Sequence, residues 1–442
     1  MTDMRDIRIE ALPDDATPRI QAALDRGSAQ GLAVRLEPGV HLSRGLRLGS
    51  GARLHLEAGA ILSFLPSYDA YAQNETSVIA EGSSRAMILA EGGDGIAITG
   101  EGEIRCDGTR AFSTGKDEAM GTRIPLALRP RVLVFDGCRN SRIEGIRVTC
   151  SPMWTLHFVG CTGLRISGLC IDNDLDMPNT DGIVLDGCRD VRVSACSIRT
   201  ADDGVVLKTS LRANGAPVGP CVDIEVARTR VESRSCALKL GTESHADFRD
   251  ITFEDCEVLA SNRGLGVLSR DGGTFERIVF RRIRLDCSET PDGYWGSGEA
   301  LTINQRDRRP GSPAGPIRDV LVEDVTGAME GAINLVAEHA GQIDGVTLRH
   351  VRLAQRAGLL GTGRCYDLRP GPVDMLPSAD AGGRANAWHR DDLGRVIGLL
   401  PYPGGMPGLF ARNVTRLHLD GVDMSRPSPL PDGWNPEAVV IA

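Results

Sequence analysis

The chain has 442 residues, room for one large core, and a formal net charge of −9. It is 41% hydrophobic and 4% aromatic, with 53 glycines, a mixture that disfavours a helical bundle and favours many tight turns. A mildly acidic chain without a basic block argues against a nucleic-acid partner, and no long apolar window points to a membrane span.

The opening "MTDMRDIRIEALPDD" has no basic region leading into an apolar core. The expected location is therefore cytoplasmic, or secreted if a leader has been removed. "DDATPRIQAALDRGSAQG" reads as a capped amphipathic helix with Ala16, Ile20, Ala23 and Leu24 on one face. Strands are expected in "LAVRLEPGVHL", "LRLGSGARLHLEAGAILSF" and "GIAITGEGEIRC". Residues 103–130 and 360–412, rich in Gly, Pro and polar residues, read as long loop insertions of the kind that carry function on a rigid scaffold.

Between them a pattern repeats. "RIEGIRVT", "RISGLCID", "RVSACSIR", "IEVARTRVE", "ITFEDCEVL" and "IVFRRIRLD" begin at 142, 165, 192, 224, 251 and 278. "VLVEDVTGA", "VTLRHVRLA" and "LHLDGVDM" continue the series. A second strand precedes each of the early ones, as in "RVLVFDGC", "TLHFVGC", "GIVLDGC" and "GVVLKTS". Alternating apolar and polar residues, glycine turns and a period of roughly 20 to 30 residues suit a parallel β-solenoid, all-β and in one domain, with the helix plugging its open end. The leucine-rich and propeller signatures are absent. The twelve cysteines lack metal-ligand spacing and several sit in apolar strand patterns, so buried reduced thiols are expected.

On a solenoid, Asp181 before "GIVLDGC" and Asp202–Asp203 before "GVVLKTS" fall on the same wall, one rung apart. Acids at coil corners often only cap turns. Three together cannot all ionise at neutral pH, so the cluster keeps a proton. A proton held beside a free carboxylate is what glycoside hydrolysis requires. Both members of the Asp202–Asp203 pair reach the cleft only at a bend, which Gly204 permits. Of the 50 basic residues only Lys116, Lys208 and Lys239 are lysines, and two of these lie in the site region.

Weaker substrate-binding candidates surround the cluster. Asn179 leads into Asp181. Glu243 and His245 end the strand after the aspartate coils, and Trp154 and His157 sit one coil before, where a tryptophan is either packing or a sugar platform. "YWGSGEALTINQRD" offers Tyr294, Trp295, Glu299 and Arg306 beside a loop, and Tyr366 and His389 lie in the C-terminal insertion.

"SPMWTLHFVGC", "PNTDGI" and "TADDGVVLK" together resemble glycoside hydrolase family 28, the polygalacturonase-like enzymes, and the likeness runs over most of the chain. It implies a single-stranded right-handed parallel β-helix of the pectin-lyase type and an inverting hydrolase without cofactor or metal. Carried over by position, Asp202 is the general acid, and Asp181 and Asp203 orient and deprotonate the water. Two features depart from the family. Cys236 stands where a histidine is expected, and Gly266 and Leu268 replace an Arg-Ile-Lys that grips a uronate. Lys208, Lys239 or Arg270 is the candidate substitute cation.

The leading expectation is an exo-acting hydrolase of oligosaccharides or polysaccharides, pectin-derived or related. A polysaccharide lyase on the same scaffold, with calcium on the aspartates, and a non-catalytic glycan-binding β-helix remain as alternatives.

Overall fold

The computed structural model describes residues 6–116, 121–291, 294–308, 311–369, 393 and 397–442. The chain winds as a right-handed parallel β-helix, a class in which every strand pairs with its counterpart one coil away. Each central coil has three strands. One coil runs Thr162–Ser167, Cys170–Asp172 and Ile183–Asp186; the next runs Arg189–Ser194, Ser197–Thr200 and Val205–Thr209. All three pairs between these coils are parallel and in register.

The stretches that read as single strands bend in the middle. "RIEGIRVT" is Arg142–Glu144 plus Arg147–Thr149, turned at Gly145 with φ 76°. Gly168, Ala195, Arg228 and Asp255 hold the same left-handed bend in the following coils. The left-handed region is open to Gly and tolerated by Asn and Asp, which explains their recurrence at coil corners. Strict strand alternation hides this bend, because it leaves the inward residues on either side apolar.

Inward side chains stack into ladders. Ile143, Ile166, Val193, Val226, Phe253 and Phe280 occupy one column through successive registers. Phe253 and Phe280 lie 5.0 Å apart, nearly parallel. Cys138, Cys161, Cys188 and Cys221 form another column. Each thiol points to a carbonyl of the coil before, Cys161 to Phe135 O at 3.3 Å and Cys188 to Phe158 O at 3.3 Å. All twelve cysteines are free, in line with their reading as small core fillers.

The one α-helix among the described residues, Thr17–Gln30, buries Ile20, Ala23, Leu24 and Gly27 against the first coils. Ala16 is its N-cap residue, and the first turn is held by Thr17 N–H donating to Asp15 Oδ1 at 2.9 Å.

Neither insertion is a plain loop. Residues 103–130 begin with the coil strand Glu103–Arg105 and carry an antiparallel hairpin, Phe112–Lys116 with Arg123–Pro125. Lys116 Nζ ties that hairpin to Asp176 at 2.7 Å. Residues 360–412 contain the pair Cys365–Asp367 and Leu399–Pro401 and end in the coil strand Leu409–Arg412. His389 lies outside the described residues. A further hairpin, Glu75–Ala80 with Ser83–Glu91, has no counterpart in the repeat reading.

Candidate active site

The wall built of Ile183–Asp186, Val205–Thr209, Cys236–Ser244 and Arg263–Ser269, the last strand of each coil, carries the aspartates just before its first two strands. Ile183 pairs with Val205 and Val205 with Leu238, so Asp181 and Asp203 are neighbours on adjacent rungs. Two glycines make this possible. A Cβ on Gly182 meets Gly204 O and Ile198 Cγ2 at 2.6 Å, and one on Gly204 meets Val231 Cγ1 at 2.2 Å. The backbone therefore sinks into the core at both places and turns the preceding acids outward.

Each carboxyl is held differently. Asp202 Oδ1 accepts Asp203 N–H at 3.0 Å, and Oδ2 accepts Asn179 N–H at 3.3 Å. Asn179 reaches it from a left-handed conformation with φ 60°, while its own Oδ1 accepts from Arg129 at 2.8 Å. Asp203 Oδ1 accepts from Ser235 Oγ at 3.0 Å, and Oδ2 is paired with Lys239 Nζ at 2.6 Å. Burial, then the charges of Asp202 and Asp203, hold the Asp181 carboxyl well above its usual value. The cluster therefore keeps a proton beside an ion-paired carboxylate.

A second charged group flanks the first. Lys208 Nζ bonds Glu243 Oε2 at 2.7 Å and sits 4.8 Å from the centre of the Trp154 ring. Burial opposes both charges. Lys208 and Arg308 nonetheless hold the Glu243 carboxyl well below its usual value, and Glu243, Asp181 and Asp203 raise the Lys208 ammonium. Trp154 is packed. Its ring lies among Ala80, Met153, Val184 and Val206, under the Lys208 cation.

Glu81 was not visible from the sequence. It sits with Gly82 in the two-residue turn of the 75–91 hairpin, both at positive φ. Burial and the charges of Asp202 and Glu243 push its carboxyl up to about 7. An acid-glycine pair between two apolar runs announces a hairpin, but nothing local says where the tip lands.

The other candidates make contacts of another kind. His157 is fully buried; its Nδ1 accepts from Arg131 at 2.8 Å and its Nε2 faces Asp186 at 3.4 Å. Burial lowers it to about 4, so the ring is neutral. His245 Nε2 faces Asp271 at 3.5 Å. Arg270 is buried, donating to Ser269 O, Asn304 Oδ1 and the carbonyls of Leu368 and Arg369. Glu299 accepts Ser297 N–H at 2.6 Å and faces Arg263, while Trp295 lies under the Arg369 guanidinium. Tyr294 is buried with its hydroxyl on Leu175 O, and Arg306 donates to Leu368 O. Tyr366 packs on Tyr402 and Phe410.

At the two departures from the family pattern, Cys236 is fully buried in register with Arg263, and burial pushes its thiol up to about 12. Gly266 lies over it, where a Cβ comes within 2.9 Å of Cys236 Sγ. Leu268 is 1% exposed.

A probable polygalacturonase of Arabidopsis thaliana is 24% identical over 314 residues, covering 68% of this chain and 63% of that protein. The next two curated relatives are covered over 44% and 60% of their lengths, so the chain spans less than two thirds of each. The crystal structure of an exopolygalacturonase from Thermotoga maritima superposes with a TM-score of 0.61 at 20% identity, over 80% of this chain and 88% of that one. A family 28 exopolygalacturonase from Yersinia enterocolitica gives a TM-score of 0.61 at 17% identity, over 96% and 78%. These likenesses confirm the fold. Residues 69–365 match Glycosyl hydrolases family 28, a span that holds Asp181, Asp202 and Asp203, and the chain belongs to that family.

Proposed function

We propose that this protein is an inverting glycoside hydrolase that removes sugars from the end of pectin-derived or related oligosaccharides. The observation that carries the reading is the cluster itself: three carboxyls on adjacent rungs, one held well above its usual value by burial and its acidic neighbours and one paired with Lys239. Asp202 is the general acid that protonates the leaving oxygen. Asp181 and Asp203 orient and deprotonate the attacking water. The family membership and the exopolygalacturonase relatives support this chemistry.

End-wise action is supported by the C-terminal insertion. Past the aspartates, Arg263, Arg270, Asn304 and Asn334 of the same wall bond to Asp367, to the carbonyls of Leu368 and Arg369, to Asp367 O, and to Tyr402. The described part of the insertion lies over the wall there, so a chain held at the aspartates would end against it. Short products released one by one from an oligosaccharide are expected, and internal fragments at early times overturn the exo assignment. Proton NMR of the first anomer released tests inversion; a retained anomer refutes it.

One observation favours exchanging the roles of Asp181 and Asp202, namely that Asp181 holds the raised carboxyl. The two readings separate by leaving group. Loss of the acid costs about 10²–10⁴-fold on an alkyl or sugar leaving group and far less on nitrophenol, which needs no proton. If Asp202→Asn shows that split and Asp181→Asn is equally slow on both, Asp202 is the acid. The reverse pattern assigns Asp181.

A further inference from the structure

The hairpin Glu75–Ala80 with Ser83–Glu91 is rooted in the catalytic wall, its second strand pairing in parallel with Arg131–Asp136 of that wall. Ala80, just before its tip, is buried among Met153, Trp154, Val184 and Val206, and Val184 and Val206 lie on the two strands that carry the aspartates. The next residue, Glu81, is half-buried at φ 48°, a conformation glycine takes at no cost and glutamate does not. The charged groups it faces are Asp202 and Glu243, which repel it, and Lys208 and Arg129, which attract it. A long acidic side chain has thus been placed at the mouth of an already acidic site.

The two lysines of that site are committed, Lys208 to Glu243 and Lys239 to Asp203. Arg308 lies between Glu243 and Asp271, and Arg129 donates to Pro152 O, Pro178 O and Asn179. A substrate carboxylate at the cleavage point would have to break a pair to reach either lysine and would then sit beside Asp202, Glu243 and Glu81. Sugar hydroxyls need no such exchange, since carboxyl groups both accept and donate hydrogen bonds to them.

We infer that Glu81 is a substrate-contacting specificity residue and that the sugar it reads at the cleavage point is uncharged. The inference rests on the hydrolase reading above. Below pH 7 the side chain is largely protonated and donates to a sugar oxygen without adding charge; above it the carboxylate is repelled by Asp202 and Glu243 and withdraws.

The test uses the full chain with 4-nitrophenyl glycosides of neutral hexoses, 6-deoxyhexoses and galacturonate, at pH 5 and pH 8.5, for wild type, Glu81→Gln and Glu81→Gly. Wild type is expected to favour a neutral glycoside over the galacturonide at least tenfold in kcat/KM, with its KM rising at least fivefold between the two pH values. Glu81→Gln, a neutral isostere, keeps the low KM at both. Glu81→Gly, which suits the turn and folds, has a high KM at both with kcat changed less than threefold. A wild-type preference for the galacturonide overturns the substrate class. A Glu81→Gly KM equal to that of wild type at pH 5, or an undiminished pH dependence in Glu81→Gln, overturns the role of Glu81. Failure of wild type to cleave any glycoside sinks the hydrolase reading instead.

Discussion

Lys239→Met removes one cation from a buried triad of acids while keeping the length of the side chain. Lys239 and Asp203 side chains are 8% and 2% exposed and 2.6 Å apart. Two unit charges separated by about 4 Å attract by about 4 kcal/mol at an effective dielectric of about 20. Breaking one side of a buried pair costs about 3–5 kcal/mol, because the remaining charge is stranded. With an unfolding entropy of about 2.1 cal/mol/K per residue, the 442-residue chain should lose about 4 °C of melting temperature at pH 8. Calorimetry reads this directly, and an unchanged melting temperature at pH 8 refutes the charge argument.

Two further outcomes follow from the same geometry. Gly204→Ala drives a Cβ to 2.2 Å from Val231 Cγ1 and 2.6 Å from Ala237 O, which displaces the Asp202–Asp203 turn. A misplacement of about 1 Å costs about 10²-fold in rate, so kcat should fall by that order while circular dichroism keeps the β signature. Glu243 has a carboxyl held below its usual value by Lys208 and Arg308. Its pairing therefore stabilises the fold above the unfolded value of about 4.3 and is lost as pH falls through the depressed folded value. Glu243→Gln should cost more stability at pH 7 than at pH 3, measured by urea unfolding at both.

Some of this site was legible because the coils are periodic. Asp181 and Asp203 follow the same strand-turn rhythm, and a repeat places equal positions on one wall whatever the loops between them do. The two site lysines stood out against an arginine background, and both prove to be bonded to acids of the site. The bends at Gly145 and its successors leave no mark in the sequence, because a left-handed residue does not disturb the inward apolar pattern.

Strand period separates inward from outward, but it does not say whether an outward residue meets water. His157 points out of its coil and has the chemistry of a sugar ligand. Arg131, however, binds its ring and also bonds Thr76 Oγ1, Val78 O and Ser83 O, so the 75–91 hairpin roofs that rung. Arg270 likewise points outward, and the 365–369 segment covers it. Both covers are non-repeating and far away in sequence, which is why the solenoid pattern carries no trace of them. They also set the site's limits. One roofs the rung before Asp181 and delivers Glu81 at its tip; the other crosses the rungs of Arg263 and Arg270. The aspartates with Lys208 and Lys239 occupy the stretch of wall that the two covers leave between them.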